Sequence, residues 1–229
     1  MKHITLIVAW LLILLSSSLC QESDSTDPRL AFLLLQHILS KAQVSGSIAY
    51  WGHCEAHKRY PGFPSLREPF NYSRPTVDLL RQVFVNDPKM VVTQESDGLI
   101  RMVENDVPMD LLRIKIHHLS FGHPDQDTDM FNGPNNALRA VLFAPEVVAY
   151  RKAHRIGPFA DRWTGPGDSA SKQPQISGDL YDVTVQQALD YILRTFPGFW
   201  IYENCQAKEA EVERNVFISF YTTDLPRPD

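Results

Sequence analysis

The segment from His53 to His57 carries residue types that could bind a metal ion. Its two histidines are four residues apart, and Cys54 lies between them as a third candidate ligand for zinc. Two histidines at this spacing share one face of a helix, but no helical pattern of apolar residues surrounds them. Cys54 also has a competing use in a disulfide. We therefore predict a polar loop here and no metal site.

A second group of histidines, His117, His118 and His123, precedes an acidic stretch. The apolar pattern from Ile114 to Phe121 predicts a strand. Successive side chains of a strand point to opposite faces, so His117 and His118 are not expected to bind one ion together. We predict no metal ligands in this group.

The acidic stretch resembles the start of a calcium-binding loop, with Asp125, Asp127 and Asp129 at alternate positions. Such a loop needs a glycine at its sharp turn and a bidentate glutamate at its end. Met130 and Asn136 occupy those two positions. The sequence therefore predicts a polar loop and not a calcium site.

Two candidate nucleophile motifs lie close together. Gly167-Asp168-Ser169 is similar to the nucleophile region of serine proteases, and Ser169 to Lys172 fits Ser-x-x-Lys, but neither has the companion motifs of its family. Both lie in a loop rich in proline and glycine, which is a poor support for a nucleophile and its base. We predict no catalytic residue and no cofactor.

The N-terminus predicts export. Lys2 and His3 precede an unbroken apolar run from Ile4 to Leu15, and small residues follow as far as Cys20. This pattern is typical of a secretory signal peptide, and the run is shorter than the about 20 residues of a membrane-spanning helix. The expected location is periplasmic or extracellular. An uncleaved anchor and lipidation at Cys20 are the alternatives.

Three cysteines are present, at positions 20, 54 and 205. If Cys20 leaves with the signal peptide, an even number remains in an oxidising compartment. We predict a disulfide between Cys54 and Cys205. The alternative is two buried free thiols.

The chain of 229 residues predicts an α+β fold: small antiparallel or mixed sheets, each covered by helices, in two βαββ-like modules with long proline-rich loops. An Asp97-Gly98 pair between two β-branched runs predicts a hairpin, and Thr184 predicts the start of a helix. The boundaries follow from composition: signal peptide 1–20, flexible leader 21–28, an N-terminal helix with the first module 29–156, a Pro/Gly-rich linker or loop 157–175, and the second module 176–229.

The helix from Asp182 to Leu193, with its central Ala-Leu, resembles the signature of the secretin and TonB short N-terminal domain. The segment from Gly98 to Leu112 is similar to the same family's strand followed by a valine-proline helix start. The resemblance implies small βαβ-type periplasmic modules, in an exported bacterial protein, that mediate protein contacts and have no catalytic residues. The chain departs from the family because it has no secretin pore or outer-membrane barrel segment.

Together these features predict a non-enzymatic protein-interaction module of the cell envelope. Each small sheet is expected to leave one face or edge available, so strand addition by an envelope protein or peptide is the natural binding mode. A formal net charge of -5 argues against nucleic acid as a partner, and no stable membrane span is expected after signal cleavage. The alternative is a secreted hydrolase or metal-binding protein without a recognisable motif, with the stretch from His117 to Asp129 as its first candidate site.

Overall fold

A computed structural model describes residues 28–55, 58–60, 73, 76–85, 87–122, 134–157, 160–164, 176–206 and 212–222. The predicted signal peptide, the acidic stretch from Asp125 to Asp129 and the Ser169 to Lys172 motif lie outside these residues, as do the side chains of His53 and Cys54.

Helices and strands are both present, which confirms the α+β class. The helices are α1 (Pro28–Ala42), α2 (Thr76–Val83), α3 (Pro134–Leu142), α4 (Pro145–Ala153) and α5 (Val185–Thr195). The strands are β1 (Gly46–Trp51), β2 (His53–Glu55), β3 (Lys58–Tyr60), β4 (Met90–Gln94), β5 (Ile100–Glu104), β6 (Lys115–Phe121), β7 (Ala160–Thr164), β8 (Gly178–Thr184), β9 (Gly198–Gln206) and β10 (Arg214–Thr222).

Six strands form the central sheet, in the order β4-β5-β1-β9-β10-β7. β1 lies between β5 and β9 and is parallel to both. Antiparallel hairpins extend the sheet on each side, β4 with β5 and β9 with β10, and β7 adds to β10 in parallel. Strands of both predicted modules therefore take part in this one sheet. The domain boundaries drawn from the sequence stay a prediction.

Both faces of this sheet are covered, so of the expected free face or edge only its edges are left as candidates. On one face, α1 and α2 pack against Phe199 and Ile201. On the other face, α3 and α5 pack against Trp200 and Tyr202. Because consecutive side chains of β9 are buried on opposite faces, this strand reads as a continuous apolar run, as is typical of a strand buried on both sides.

Two further strands, β6 and β8, form an antiparallel two-stranded sheet, which we call the ribbon. It packs on the same side of the central sheet as α3 and α5, through Ile116, Leu119 and Phe121. A two-stranded sheet is marginal on its own, so this packing stabilises the ribbon. Its outer surface is the part of the fold that the core does not use.

Three local predictions need correction. Part of the predicted loop after Gly52 forms the hairpin β2–β3, and part of the predicted linker 157–175 forms β7. In the β4–β5 turn only Gly98 has a positive φ, of 87°, although both turn positions were expected to. Gly98 N donates to Glu95 O, so this connection is a longer turn that needs only one left-handed residue.

Of the helices that the described residues form, none is long and apolar enough to cross a membrane.

Candidate binding edge

The ribbon is held in place at the start of α5. The Thr184 side chain accepts from Gln187 N, and Thr184 N donates to Gln187 Oε1 2.8 Å away, which completes a capping box. One residue later, Val185 N donates to Ile114 O over 2.9 Å. The helix and the last residues of β8 are thereby fixed against the chain that leads into β6.

β8 has a neighbouring strand on one side only. It pairs with β6, and no strand of the described residues pairs with its other edge. In an antiparallel ladder, alternate residues point their N–H and C=O away from the partner strand, so the outer edge of β8 carries backbone donors and acceptors that β6 does not bind.

Other groups of the chain bind backbone atoms at the outer edges of two further strands. On β4, the Arg81 side chain donates from Nη2 to Val92 O over 3.2 Å. On β6, His117 N donates to Glu146 Oε1 over 3.1 Å. Covering an exposed edge prevents unwanted strand pairing.

Four side chains at the centre of the ribbon face solvent: His117 and His118 on β6, and Tyr181 and Asp182 on β8. Ile116 and Leu119 are buried, so the regular alternation of β6 is interrupted between them, and His117 and His118 are both exposed. The expectation that these histidines occupy opposite faces is therefore wrong. On β8, Asp182 has a left-handed φ of 52°, which interrupts the alternation of side chains in that strand as well.

Each of the two histidines pairs with an aspartate across the ribbon. His117 Nδ1 lies 3.1 Å from Asp182 Oδ1, and Lys115 Nζ lies 3.6 Å from the same oxygen. The hydrogen bond from His117 and the charge of Lys115 lower the pKa of Asp182. His118 Nε2 lies 3.0 Å from Asp179 Oδ1.

An aromatic pair lies beside these contacts. The ring of His118 stacks on Tyr181, with centroids 4.9 Å apart, and Tyr181 is 66% exposed. An exposed tyrosine supported by a neighbouring ring offers contact area at low entropic cost, which is typical of protein interfaces.

Only some of the candidate site residues drawn from the sequence lie within the described part of the chain. His117 and His118 do not converge, because they bind different aspartates, and the described residues contain no group of histidine, cysteine, aspartate and glutamate that could hold a metal ion. His57, His123, the acidic stretch and the Ser169 to Lys172 motif lie outside the described residues.

Cys205 is buried in β9. No disulfide pair is found within the described side chains, and the other two cysteines of the chain, Cys20 and Cys54, lie outside them. The strand that carries Cys54, β2, contacts β9, and Gly52 N donates to Asn204 O next to Cys205. The pairing of Cys54 with Cys205 stays a prediction.

One polar cluster that sequence reasoning missed joins the β5–β6 connection to α4 and β10. Arg214 donates both Nη atoms to Asp110, and Tyr150 Oη donates to Asp110 Oδ2 over 2.7 Å. Burial raises the pKa of Asp110, but the hydrogen bonds from Arg214 and Tyr150 outweigh it and lower the pKa below its ordinary value. Burial and the bond to Asp110 raise the pKa of Tyr150 to about 12. Every polar group here has a protein partner, so the cluster is a structural clamp.

A second missed cluster is buried between the central sheet and α5. Arg101 on β5 binds both carboxylate oxygens of Asp190, at 2.8 and 2.5 Å, and Trp200 Nε1 donates to Asp190 Oδ1 at 3.0 Å. Arg101 also donates to Ser47 Oγ. Ser47 pairs with Arg101 on one side and with Trp200 on the other, so the three residues form one row across β5, β1 and β9.

The aromatic residues around Pro197-Gly198 belong to the core. Phe196, Phe199, Trp200 and Tyr202 are all nearly inaccessible to solvent.

The fold and the exposed edge define an α+β protein with a covered central sheet and a peripheral two-stranded ribbon. No protein-family model, curated protein or solved structure matches the chain. The resemblance to the secretin and TonB short N-terminal domain therefore stays a prediction.

Proposed function

We propose that the protein is an exported, non-enzymatic interaction module that binds an extended segment of an envelope protein by strand addition at the outer edge of β8. The observation that carries the proposal is the position of β8, which pairs with β6 on one side and with no strand of the described residues on the other. An added strand would satisfy the backbone groups of that outer edge.

The side chains beside this edge support binding better than hydrolysis. A hydrolase needs its base and nucleophile held in a concave site from which water is excluded. The His117 and Asp182 side chains are instead 75% and 63% exposed. Tyr181 and His118, stacked next to the edge, would serve as the aromatic anchor of a bound segment.

Export and the disulfide complete the proposal. The contact of β2 with β9 favours a disulfide between Cys54 and Cys205, and such a bond is typical of proteins in an oxidising compartment. Mass spectrometry of the secreted protein should find a chain that starts near Gln21 and a peptide pair that joins Cys54 to Cys205. An intact Met1, or two alkylatable thiols, would contradict this part of the proposal.

Site-specific photo-crosslinking tests the binding edge. Benzoylphenylalanine replaces Tyr181 on the ribbon in one variant and Phe143, an aromatic residue at the end of α3, in the control variant. The two residues are 66% and 56% exposed, so both probes reach solvent equally well. Each variant is expressed in the native host and irradiated in intact cells.

We expect a discrete adduct from position 181 and none from position 143. A Leu180→Pro substitution should abolish the adduct, because proline removes a backbone N–H from the middle of β8. Equal adducts from both positions, or an adduct that Leu180→Pro leaves unchanged, would refute strand addition at this edge.

A further inference from the structure

We infer that the segment bound at β8 presents an aromatic side chain opposite Tyr181, so that the ring of the partner stacks on Tyr181 as His118 does from the other side. This inference rests on the proposed function, because it assigns the chemistry of the partner at the same edge. The observation that carries it is the open ring face of Tyr181 beside the outer edge of β8.

The arrangement of the two rings follows from the strand pairing. His118 on β6 and Tyr181 on β8 are directly opposite each other in the antiparallel ladder, and both side chains face solvent. Their ring planes are inclined by only 13°, with centroids 4.9 Å apart. His118 therefore covers one face of the Tyr181 ring from the side of β6.

The other face of the Tyr181 ring lies on the side where no described strand pairs with β8. Tyr181 is 66% exposed although His118 covers one of its faces, so the second face is open to solvent. A strand added at this edge would place one of its residues directly opposite Tyr181, within reach of a cross-strand contact. The side chain of that residue would lie against the open face.

The ring that supports Tyr181 is itself held in place. His118 Nε2 lies 3.0 Å from Asp179 Oδ1, and this contact restricts the imidazole together with the stacking. The two rings are thus ordered before the partner binds. A further contact with them costs less conformational entropy than a contact with freely rotating side chains would.

An aromatic side chain fits the open face better than an aliphatic or a cationic one. Stacked aromatic pairs contribute free energy beyond the area that they bury, and aromatic pairs on neighbouring strands stabilise a sheet. A leucine would bury area against the ring without this further contribution. An arginine could stack as well, but a cation over a ring contributes less at an exposed site.

Phe143 provides the control position, because it is an exposed aromatic residue away from any strand edge. It follows α3 and is 56% exposed. The Arg139 guanidinium lies over its ring, 5.8 Å from the centroid.

A peptide-display selection tests the inference. The probe is a phage library of nonapeptides in which alternating threonine and valine flank one randomised central position. The exported protein is immobilised as the wild type and as the variants Tyr181→Val, Phe143→Val and Leu180→Pro. Sequencing before and after selection gives the enrichment of each central residue. Valine is a good strand former, so Tyr181→Val should keep the urea midpoint of the wild type.

We expect the wild type and Phe143→Val to enrich phenylalanine, tyrosine and tryptophan about fivefold over leucine at the central position. Tyr181→Val should lose this preference, because the ring that stacks on the partner is gone. Equal enrichment of leucine, a higher enrichment of arginine, or an aromatic preference that Tyr181→Val retains would overturn the inference.

The two proposals fail in different ways. An adduct from position 181 without aromatic enrichment would refute the aromatic partner and support the edge. An aromatic enrichment that Tyr181→Val abolishes, but that Leu180→Pro leaves unchanged, would support the ring contact and refute strand addition.

Discussion

An aspartate pairs with a basic side chain of a neighbouring element at two places, between the central sheet and α5 and on the ribbon, but the surroundings of the two pairs differ. Arg101 and Asp190 lie between the sheet and α5, with side chains 10% and 12% exposed. His117 and Asp182 lie on the ribbon, with side chains 75% and 63% exposed. The same kind of contact is buried in one region and exposed to solvent in the other.

The difference in burial indicates that the buried pair contributes to stability and that the exposed pair is available for binding. Removing one partner of a buried pair leaves a charge in a medium of low dielectric, which is strongly destabilising. An exposed pair is screened by water and contributes little, so its groups can be exchanged for those of a ligand. The Asp110–Arg214 pair is intermediate, with side chains 37% and 15% exposed. Replacing the aspartate of each of the three pairs by asparagine therefore gives three variants that differ in how deeply the affected pair is buried.

Asp190→Asn should have the largest effect. The amide keeps an acceptor for Trp200 Nε1 but leaves the buried Arg101 guanidinium with only the half-exposed Glu95, 3.8 Å from Nε, as its counter-charge. We expect the free energy of unfolding in urea to fall by about 3 kcal/mol. An Arg101→Met/Asp190→Leu double variant should recover most of this loss, because it removes both charges. A loss below about 1 kcal/mol for Asp190→Asn would contradict the contrast between the two regions.

Asp110→Asn should cost about 2 kcal/mol at pH 7, since it weakens charge-assisted bonds from Arg214 and Tyr150 in a half-buried site. The pKa of Asp110 is lowered in the folded state, so its contribution is present above the unfolded pKa of about 4 and is lost as the pH falls through the folded pKa. The difference between wild type and variant should therefore be full at pH 6 and shrink below about pH 4.

Asp106→Asn is the control for this pH dependence, because Asp106 pairs with Lys89 at an exposed site, with side chains 61% and 58% exposed. Urea titrations of both variants from pH 6 downward give the comparison. A difference between wild type and Asp110→Asn that stays constant with pH would contradict the assigned protonation state of the clamp.

Arg81→Ala should change stability by only about 0.5 kcal/mol, because its pair with Asp78 is exposed. Its effect should appear instead in association, since the substitution uncovers Val92 O on the edge of β4. We expect concentration-dependent oligomers in light scattering. The control variant Arg194→Ala, at another exposed arginine, should keep the oligomeric mass of the wild type. If the two variants formed the same oligomers, the uncovered edge of β4 would not be the cause of association.

The sequence predicted elements whose signals are local. The capping residues around Thr184 identified α5, and the turn at Gly98 identified the β4–β5 hairpin. Contacts between distant segments were not predictable in this way. Arg101 and Asp190 are 89 positions apart, and no periodicity links them. The placement of β1 between β5 and β9 depends likewise on non-local pairing.

The sequence predicted that a strand edge would be available for binding, but not which strand would carry it. Alternation in the segment from Ile114 to Phe121 predicted a strand, and strand addition followed from the idea of an open edge. The partner strand, β8, lies about sixty positions later in the chain, with Tyr181 opposite His118. The left-handed conformation of Asp182 then overrode simple alternation, because one residue with φ of 52° changes which side chains reach solvent.

Asp182→Asn should have the smallest effect on stability and gives the sharpest test of the comparison. Asparagine tolerates the left-handed conformation as well as aspartate does, and its amide oxygen can still accept from His117. The lost charge is exposed and screened, so the urea midpoint at pH 7.5 should not change measurably. If Asp182→Asn instead shifted the urea midpoint as far as Asp110→Asn does, the ribbon would be a structural element like the central sheet, and its exposed pairs would no longer support a binding role.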